Sequence, residues 1–504
     1  MKQFIKNHPL AFVIIVAVLL RIMAVNWSKG YMASDDHFET ISVASYWMQH
    51  GLWDADGHLT WVGSPGSGIC RVPLYTLMIY GVMKVAHSFG ADSLDCIMYW
   101  MRAFHALLSL LSVWGAFRLA EIVTGSKKWA VAAGLVAAAN LAMPYLAVRN
   151  LIEMVSANFW LLSLLCMYAY QYGKKESKLL LYAGLLTGVA WMFRFEIATA
   201  AIVVPFILWY LNKSIKPAIW YSIGVAIILI FTGLIEIPLL GKFMASTFNH
   251  IGQINQESAM YDTTPFIYLL LLAGLVVPPF SLYGFYLICR NQVWKNHLIL
   301  LGSIASFVII HTIQESRQER YIIPMIVPTI LLFILALYED VSRRGLKAPT
   351  PSIRRWIIAP SIVINLLILP VLTFNYSKKG AIEPLVLMER EDGGHGVLFV
   401  SPEKGRFYPL EYGGNEIAPY RRVNMWEDLS SLNDSTDIRT NLSFLVLYPN
   451  EPDDKSRYED SVKAVFPTAV GWKHVSPSTV DWVLHKLNPS HNRTNEAWIY
   501  KIPH

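Results

Sequence analysis

Residues 33–41, ASDDHFETI, gather Asp35, Asp36, His37 and Glu39 within five positions of a chain in which 15% of the residues are charged. Carboxylates beside an imidazole offer two kinds of chemistry: taking a proton from a hydroxyl group in a partly desolvated cleft, or holding a divalent ion. Asp35, Asp36 and His37 together could serve as ion ligands. One residue from the pair, His37 reads better as a hydrogen-bonding wall, with proton relay or ligand as its alternatives. Glu39 reads equally as a substrate contact or a helix cap. No Gly-rich nucleotide loop accompanies them, and SPGSG at 64–68 follows no strand and reads as a turn.

The elements that must position these groups are membrane helices. The chain has 504 residues, 54% of them hydrophobic. About eleven apolar runs, beginning near residues 8, 97, 129, 151, 178, 196, 217, 265, 297, 321 and 356, approach the roughly 17 to 25 residues that cross a bilayer. The first, HPLAFVIIVAVLLRIMAV, follows two lysines and has no small-residue cleavage site after it, so it reads as a retained anchor. Lys and Arg gather in the loops GSKKW, GKKESK, NKSIK, RNQVWK and SRRGLKAPTPSIRR, and a cytoplasmic N-terminus places all of them in the cytoplasm. The net charge of +6 is therefore a topology signal, and no nucleic-acid partner is expected. Parity requires PLYTLMIYGVMKVAHSFG, residues 73–90, to lie on the outer face as an interfacial helix, which suits Lys84 and His87. A full crossing there would invert every later loop.

In this topology Asp35, Asp36, Glu39, Arg71, Arg102, Arg149, Glu153, Arg194, Glu196, Glu257, Glu315, Arg317, Glu319 and Arg320 fall at or near outer helix ends. An ionisable group at a helix centre costs roughly 2.5 to 3.5 kcal/mol on insertion scales, so a convergent set at helix ends predicts a functional cavity of mixed charge. From about residue 375 the apolar runs shorten, and HGVLFVSP, LSFLVLYP and AWIYKIP read as strands. The expected architecture is an α-helical polytopic membrane domain over 1–374, with residues 26–96 as its first outer loop, and a small C-terminal α/β soluble domain over 375–504 on the outer face. Cys166 and Cys289 read as core residues, and Cys70 and Cys96 are the one candidate disulfide.

Read in chain order, the outer segments resemble the GT-C superfamily of membrane glycosyltransferases. The nearest family is number 22, the lipid-phosphate-mannose-dependent mannosyltransferases that build N-glycan and GPI-anchor precursors, and the likeness covers roughly residues 8–340. SDDHFET is similar to that family's His-Pro-Asp-Glu-x-Phe-Gln, and ICRVPLY to its Ile-Arg-Ser-x-x-Tyr-Pro. RNLIEMVSANF resembles the arginine-led start of a later helix, and GLLTGVAWMFRFEIA a Gly-rich helix ending in arginine. FNHIGQINQESAMYDTTPFIY looks like Phe-x-x-Asn followed by Tyr-Gly-Thr-x-Pro-Trp-x-x-Tyr, and SRQERYIIP like His-Lys-Glu-x-Arg-Phe-Leu-x-Pro. Asp36 stands where the family has glutamate, Glu39 where it has glutamine, and Asp262 where glycine is common; Ser316, Arg317 and Gln318 replace His, Lys and Glu. Such changes suit a divergent, bacterial branch.

The resemblance implies a GT-C fold and transfer of a hexose, with mannose as the expected sugar, from a polyprenyl-phosphate donor to a lipid-linked or glycan acceptor. Asp35 aligns with the aspartate that opens the family's acidic pair and is the expected base, with Asp36 second. Arg320 aligns with the motif arginine and, with Arg317 and Arg194, is expected to hold the leaving phosphate through planar, charge-assisted hydrogen bonds. Glu319, Tyr261 and Tyr268 complete the donor side, although interfaces attract tyrosines in any case. His37, Glu39, Arg71, Arg102, Arg149 and Glu153 are expected to orient the acidic loop or bind the acceptor. A glycoside hydrolase protonates its leaving oxygen; a phosphate leaves without such help, one carboxylate suffices, attack from the opposite face inverts the anomeric centre, and no metal or other cofactor is expected. Three competing readings remain. A transferase of the same superfamily could act on protein or on lipid A. A transporter or flippase for a lipid-linked solute would carry inverted repeats, which the sequence lacks. The third is a non-catalytic assembly subunit. The short loops favour a bacterial inner membrane with a periplasmic site, the endoplasmic reticulum with a luminal site being the alternative.

Overall fold

The structure is a computed structural model. It describes the backbone of residues 2–503 apart from 54, 56–58, 61–72, 255–265, 291, 315–316, 392–395, 402–411, 413–420, 425–441, 450–454, 488–491 and 493–495, and the side chains of the same residues apart from 2, 34–36, 253, 254, 401, 421–424, 455, 457 and 458.

Among the described residues seven helices are long and apolar enough to cross a membrane: Pro9–Trp27, Leu94–Thr124, Ile152–Tyr172, Phe195–Asn212, Lys216–Leu240, Glu319–Arg343 and Pro351–Thr373. The pair Ile267–Leu275 and Phe280–Arg290, bent by 115°, would make an eighth crossing, and Ser177–Phe193 and Leu298–Ile313 are shorter apolar helices. Lys127–Ala139 takes up the remaining apolar run of the sequence. Close approach between backbones holds part of this bundle together: a Cβ on Gly184 would come within 2.0 Å of the Tyr221 carbonyl oxygen. Small residues permit such contact where lipid gives no hydrophobic drive for helices to associate. The same physics corrects the reading of Cys289, which is exposed on the outside of its helix, while Cys166 is half-buried. Lipid tails are as apolar as a core, so an apolar run does not say which face meets protein. Cys96 is an exposed free thiol, and Cys70 lies outside the described residues.

The acidic stretch, expected as a loop, opens a helix, Ser34–His50. Its buried positions Phe38, Ile41, Ala44 and Trp47 recur every three residues, so one stripe faces inward. Pro73–Ser88 is a 16-residue helix that is not among the crossing helices. Its Tyr75, Ile79 and Met83 join Phe38, Ile41, Leu94 and Met98 in one core.

The C-terminal part forms a five-stranded sheet of order β2-β1-β3-β5-β4, from β1 (Val397–Ser401), β2 (Arg421–Asn424), β3 (Phe444–Leu447), β4 (Val470–Val475) and β5 (Ala497–Lys501). β1 pairs in parallel with β2 and β3, while β5 runs antiparallel to β3 and β4. The period-two alternation of strands sorts its side chains. Val397, Phe399, Phe444, Val446 and Ile499 face the core that contains Phe38 and Ile41. Leu398, Val400, Leu445, Leu447 and Tyr500 face the other way, under Val462 and Val465 of the helix Lys455–Val465. The sheet therefore shares one core with the helix that carries the acidic pair, together with Ile382, Leu385 and Val386 of the helix Lys379–Glu389.

Candidate active site

Three helix ends supply a buried cluster of charge. Glu153 lies in the first turn of Ile152–Tyr172 and has no exposed surface, a position where the helix dipole favours a carboxylate. Arg194 stands at the break between Ser177–Phe193 and the turn Phe195–Ile197, and Arg320 lies in the short turn Glu319–Ile322. Each side chain leaves the backbone where a helix stops, which is how charge reaches one point without crossing the bilayer's middle. Arg194 Nη1 is 3.4 Å and Arg320 Nε 3.5 Å from Glu153 Oε1. Arg194 Nη2 also lies 2.7 Å from Glu196 Oε1, and Arg320 Nε donates to Gln318 Oε1 at 2.7 Å. Among the described residues neither Glu153 oxygen has a hydrogen-bond donor and Arg194 Nε has no acceptor, so the cluster is held by charge and keeps donor capacity to spare.

Aromatic and imidazole groups line this cluster. The Arg194 guanidinium lies 4.5 Å from the centre of the Tyr321 ring. His311 stacks on Phe307 at 4.0 Å and meets Tyr321 and Tyr268 edge-on. His250 Nε2 is 3.8 Å from Glu196 Oε1. Its helix, Ala245–Ile254, is tied down by Glu236, which accepts from the Ser246 amide at 3.1 Å and from the Ser246 hydroxyl.

Four residues before Glu153, Arg149 performs a different task. It is buried, and its Nη1 donates to the carbonyls of Ser28, Lys29 and Gly30 at 3.1, 2.7 and 2.9 Å, while Nη2 donates to Ser28 Oγ at 2.8 Å and the Asn375 carbonyl at 3.4 Å. These bonds fix the strand-like segment that leads into Ser34–His50. Gly30 forms a parallel bridge with Ser377, at φ +83, and any Cβ there would lie 1.8 Å from the Ser377 carbonyl oxygen. Arg102 Nε donates to the Val25 carbonyl at 2.8 Å, so its described bond to this region is with backbone rather than a carboxylate. Asn150 donates to Thr40 Oγ1 at 3.2 Å and accepts from the Tyr75 hydroxyl, which is 3.1 Å from His105 Nε2.

His37 Nε2 meets the Tyr412 hydroxyl at 3.1 Å across 375 residues of sequence. Burial, and after it the nearby Arg149, Arg102 and His105, push its pKa down to about 3. In the unfolded chain the ring titrates near 6.5, so its contribution to stability is fully present above about pH 6.5 and is lost as the pH falls towards 3. Thermal unfolding followed from pH 7.5 to 4.5 should show this loss, and His37→Gln should flatten it; an unchanged slope would remove His37 as its source.

A profile of the Alg9-like mannosyltransferase family matches residues 12–392. The chain belongs to that family. The fold resembles ArnT from Cupriavidus metallidurans in the apo state, at TM-score 0.58 and 12% identity over 99% of this chain and 98% of that one. ArnT bound to undecaprenyl phosphate aligns at TM-score 0.57 and 11% identity, over 98% of each chain. The archaeal oligosaccharyltransferase AglB from Archaeoglobus fulgidus, in complex with an inhibitory peptide and a dolichol-phosphate, aligns at TM-score 0.47 and 10% identity over 95% of this chain and 74% of that one. No curated protein has a matching sequence. The chain is thus a multi-pass membrane glycosyltransferase of GT-C fold.

The structure brings Arg194, Arg320 and Glu153 of the expected residues into one cluster. Arg317 Nη1 donates to the carbonyls of Thr312 and Gln314 at 3.1 and 3.2 Å, and Glu319 is exposed. Tyr268 is fully buried, with its hydroxyl donating to the Gln318 carbonyl at 3.3 Å; it supports the arginine-bearing segment. Glu39 lies in the second turn of its helix, too far along to cap it. The side chains of Asp35 and Asp36, and all of Arg71, Tyr261, Glu257 and Glu315, lie outside the described residues. His250, His311, Tyr321 and Tyr412 escaped the sequence reading. For His311 a signal existed: it interrupts the apolar run VIIHTI, and ionisable groups in such runs mark function or pairing.

Proposed function

We propose that this transferase moves mannose from a polyprenyl-phosphate sugar to a hydroxyl of a lipid-linked or glycan acceptor, with inversion. The observation that carries the reading is the segment 149–153. Arg149 and Asn150 hold the helix that opens with the acidic pair, and Glu153 gathers the guanidinium groups of Arg194 and Arg320. One segment thereby sets both a base and a pair of phosphate ligands. Membership of a mannosyltransferase family supports the sugar, and a similar fold seats undecaprenyl phosphate in ArnT.

Asp35 takes the proton of the acceptor hydroxyl as its oxygen bonds to the anomeric carbon, on the face opposite the phosphate. The bond from that carbon to the phosphate oxygen breaks, and its electron pair leaves with the polyprenyl phosphate. The carboxylate becomes neutral while the phosphate gains one negative charge. Arg194 and Arg320 are placed to stabilise charge that develops at this point, with Arg317 as a further cation. His37 orients the acidic helix, and no step requires a metal. We place the site on the periplasmic side of a bacterial inner membrane, reached by eleven crossings from a cytoplasmic N-terminus. The basic loops support that parity.

The test is transfer by purified protein in detergent, from polyprenyl-phosphate sugars to a lipid extract, with and without a chelator. Asp35→Asn should lower kcat by about 10²–10⁴-fold, the usual contribution of a positioned base, and chelation should leave transfer intact. A variant as active as the wild type would move the role to Asp36, and loss on chelation would bring a metal into the mechanism.

A further inference from the structure

Beyond residue 375 the described chain exposes five large apolar side chains. Four of them, Trp482 (51% exposed), Val483 (41%), Leu484 (41%) and Leu487 (76%), sit on one nine-residue helix, Thr479–Leu487. A surface helix of a water-facing domain turns polar side chains outward, so this helix faces something apolar. The fifth, Val470, lies on β4.

Its point of attachment says what that is. Asp481 is the buried residue of the helix, and its Oδ2 accepts from the Lys378 amide at 2.7 Å. Lys378 follows closely on Thr373, where the last crossing helix ends. Between them Phe374 presents an exposed ring whose centre is 5.6 Å from that of Trp27, the exposed last residue of the first crossing helix. Aromatic residues at helix ends mark the headgroup level. The four steps from Phe374 to Lys378 span about 14 Å at full extension, so Asp481 is held within reach of the headgroup layer. A basic residue, Lys486, is exposed beside the apolar side chains, the composition of helices that lie in a membrane interface.

We propose that Thr479–Leu487 lies in the phospholipid leaflet on the side of the charged cluster, docking the C-terminal sheet on the bilayer as well as on the core it shares with the acidic helix. Membrane insertion of the chain supports this inference; the reaction it catalyses does not enter. The helix Lys455–Val465, by contrast, covers the sheet face turned away from the acidic helix, and Lys463 in it is an exposed reference position.

The test uses full-length protein with its four cysteines changed to serine, in nanodiscs of phosphatidylcholine and phosphatidylglycerol. Trp482→Cys, Leu487→Cys and Lys463→Cys would each carry an environment-sensitive fluorophore. Lipids with a spin label near the headgroup end of the acyl chain should quench the labels at 482 and 487 at least twofold more than the label at 463. Equal quenching at all three positions would overturn the proposal. Shielding of 482 without lipid quenching, in discs that hold two chains, would also overturn it and assign the face to a contact between copies. If Trp482→Cys fails to fold, position 487, at the helix's last residue, decides alone.

Discussion

Glu153→Gln should sharply lower the temperature of unfolding. The carboxylate it removes is shared by two buried guanidinium groups, and breaking a buried ion pair from one side typically costs about 3–5 kcal/mol. The double variant Glu153→Met with Arg320→Met should recover much of that loss, because apolar replacement of a whole buried pair is often neutral or stabilising. Arg194 keeps Glu196 at 2.7 Å in that variant. Transfer should nevertheless be absent, since one of the two proposed phosphate ligands is gone. Fluorescence-detected size exclusion after heating measures the first effect, and the detergent transfer assay the second. A double variant that regains both stability and transfer would exclude Arg320 from the donor site.

That separation of folding from chemistry reflects what a sequence can disclose. Arg194, Arg320 and Glu153 were legible because charged residues at the ends of apolar runs have few structural excuses in a bilayer. Their convergence on a single oxygen was not, since it depends on how three separate helices end. The opening stretch is helical rather than a loop because Phe38, Ile41, Ala44 and Trp47 form one buried stripe, a spacing that the neighbouring charges obscure in the sequence. Nothing local marks Tyr412: its bond to His37 joins segments 375 residues apart, within the core that the C-terminal part shares with the acidic helix. The strands themselves were legible at Val397–Ser401, Phe444–Leu447 and Ala497–Lys501, whereas their order, with three parallel strands on one side and two antiparallel pairings on the other, depends on long crossovers.

Arg149→Lys should leave a folded protein with kcat lowered about 10²-fold and the KM for donor little changed. The arginine's described partners are four carbonyls and one hydroxyl, contributed by residues 28–30 and by Asn375, while its face lies 4.1 Å from the centre of the Tyr145 ring. A planar fork can reach both segments at once; an ammonium donates from a single point and cannot stack in the same way. The backbone leading into Ser34–His50 would therefore lose one of its anchors, and with it the placement of the acidic pair. A displacement of about 1 Å between reacting groups is enough to cost 10²-fold. The proposed phosphate ligands, Arg194 and Arg320, are held by Glu153, four residues further along the chain, which is why KM should stay. Lysine also preserves the positive charge that helps keep His37 neutral, so the loss of stability below about pH 6.5 should match the wild type. A fall in kcat with that acid profile unchanged locates the defect in geometry alone, whereas a raised KM at normal kcat would mean that Arg149 acts on substrate binding and the acidic helix is set by other contacts.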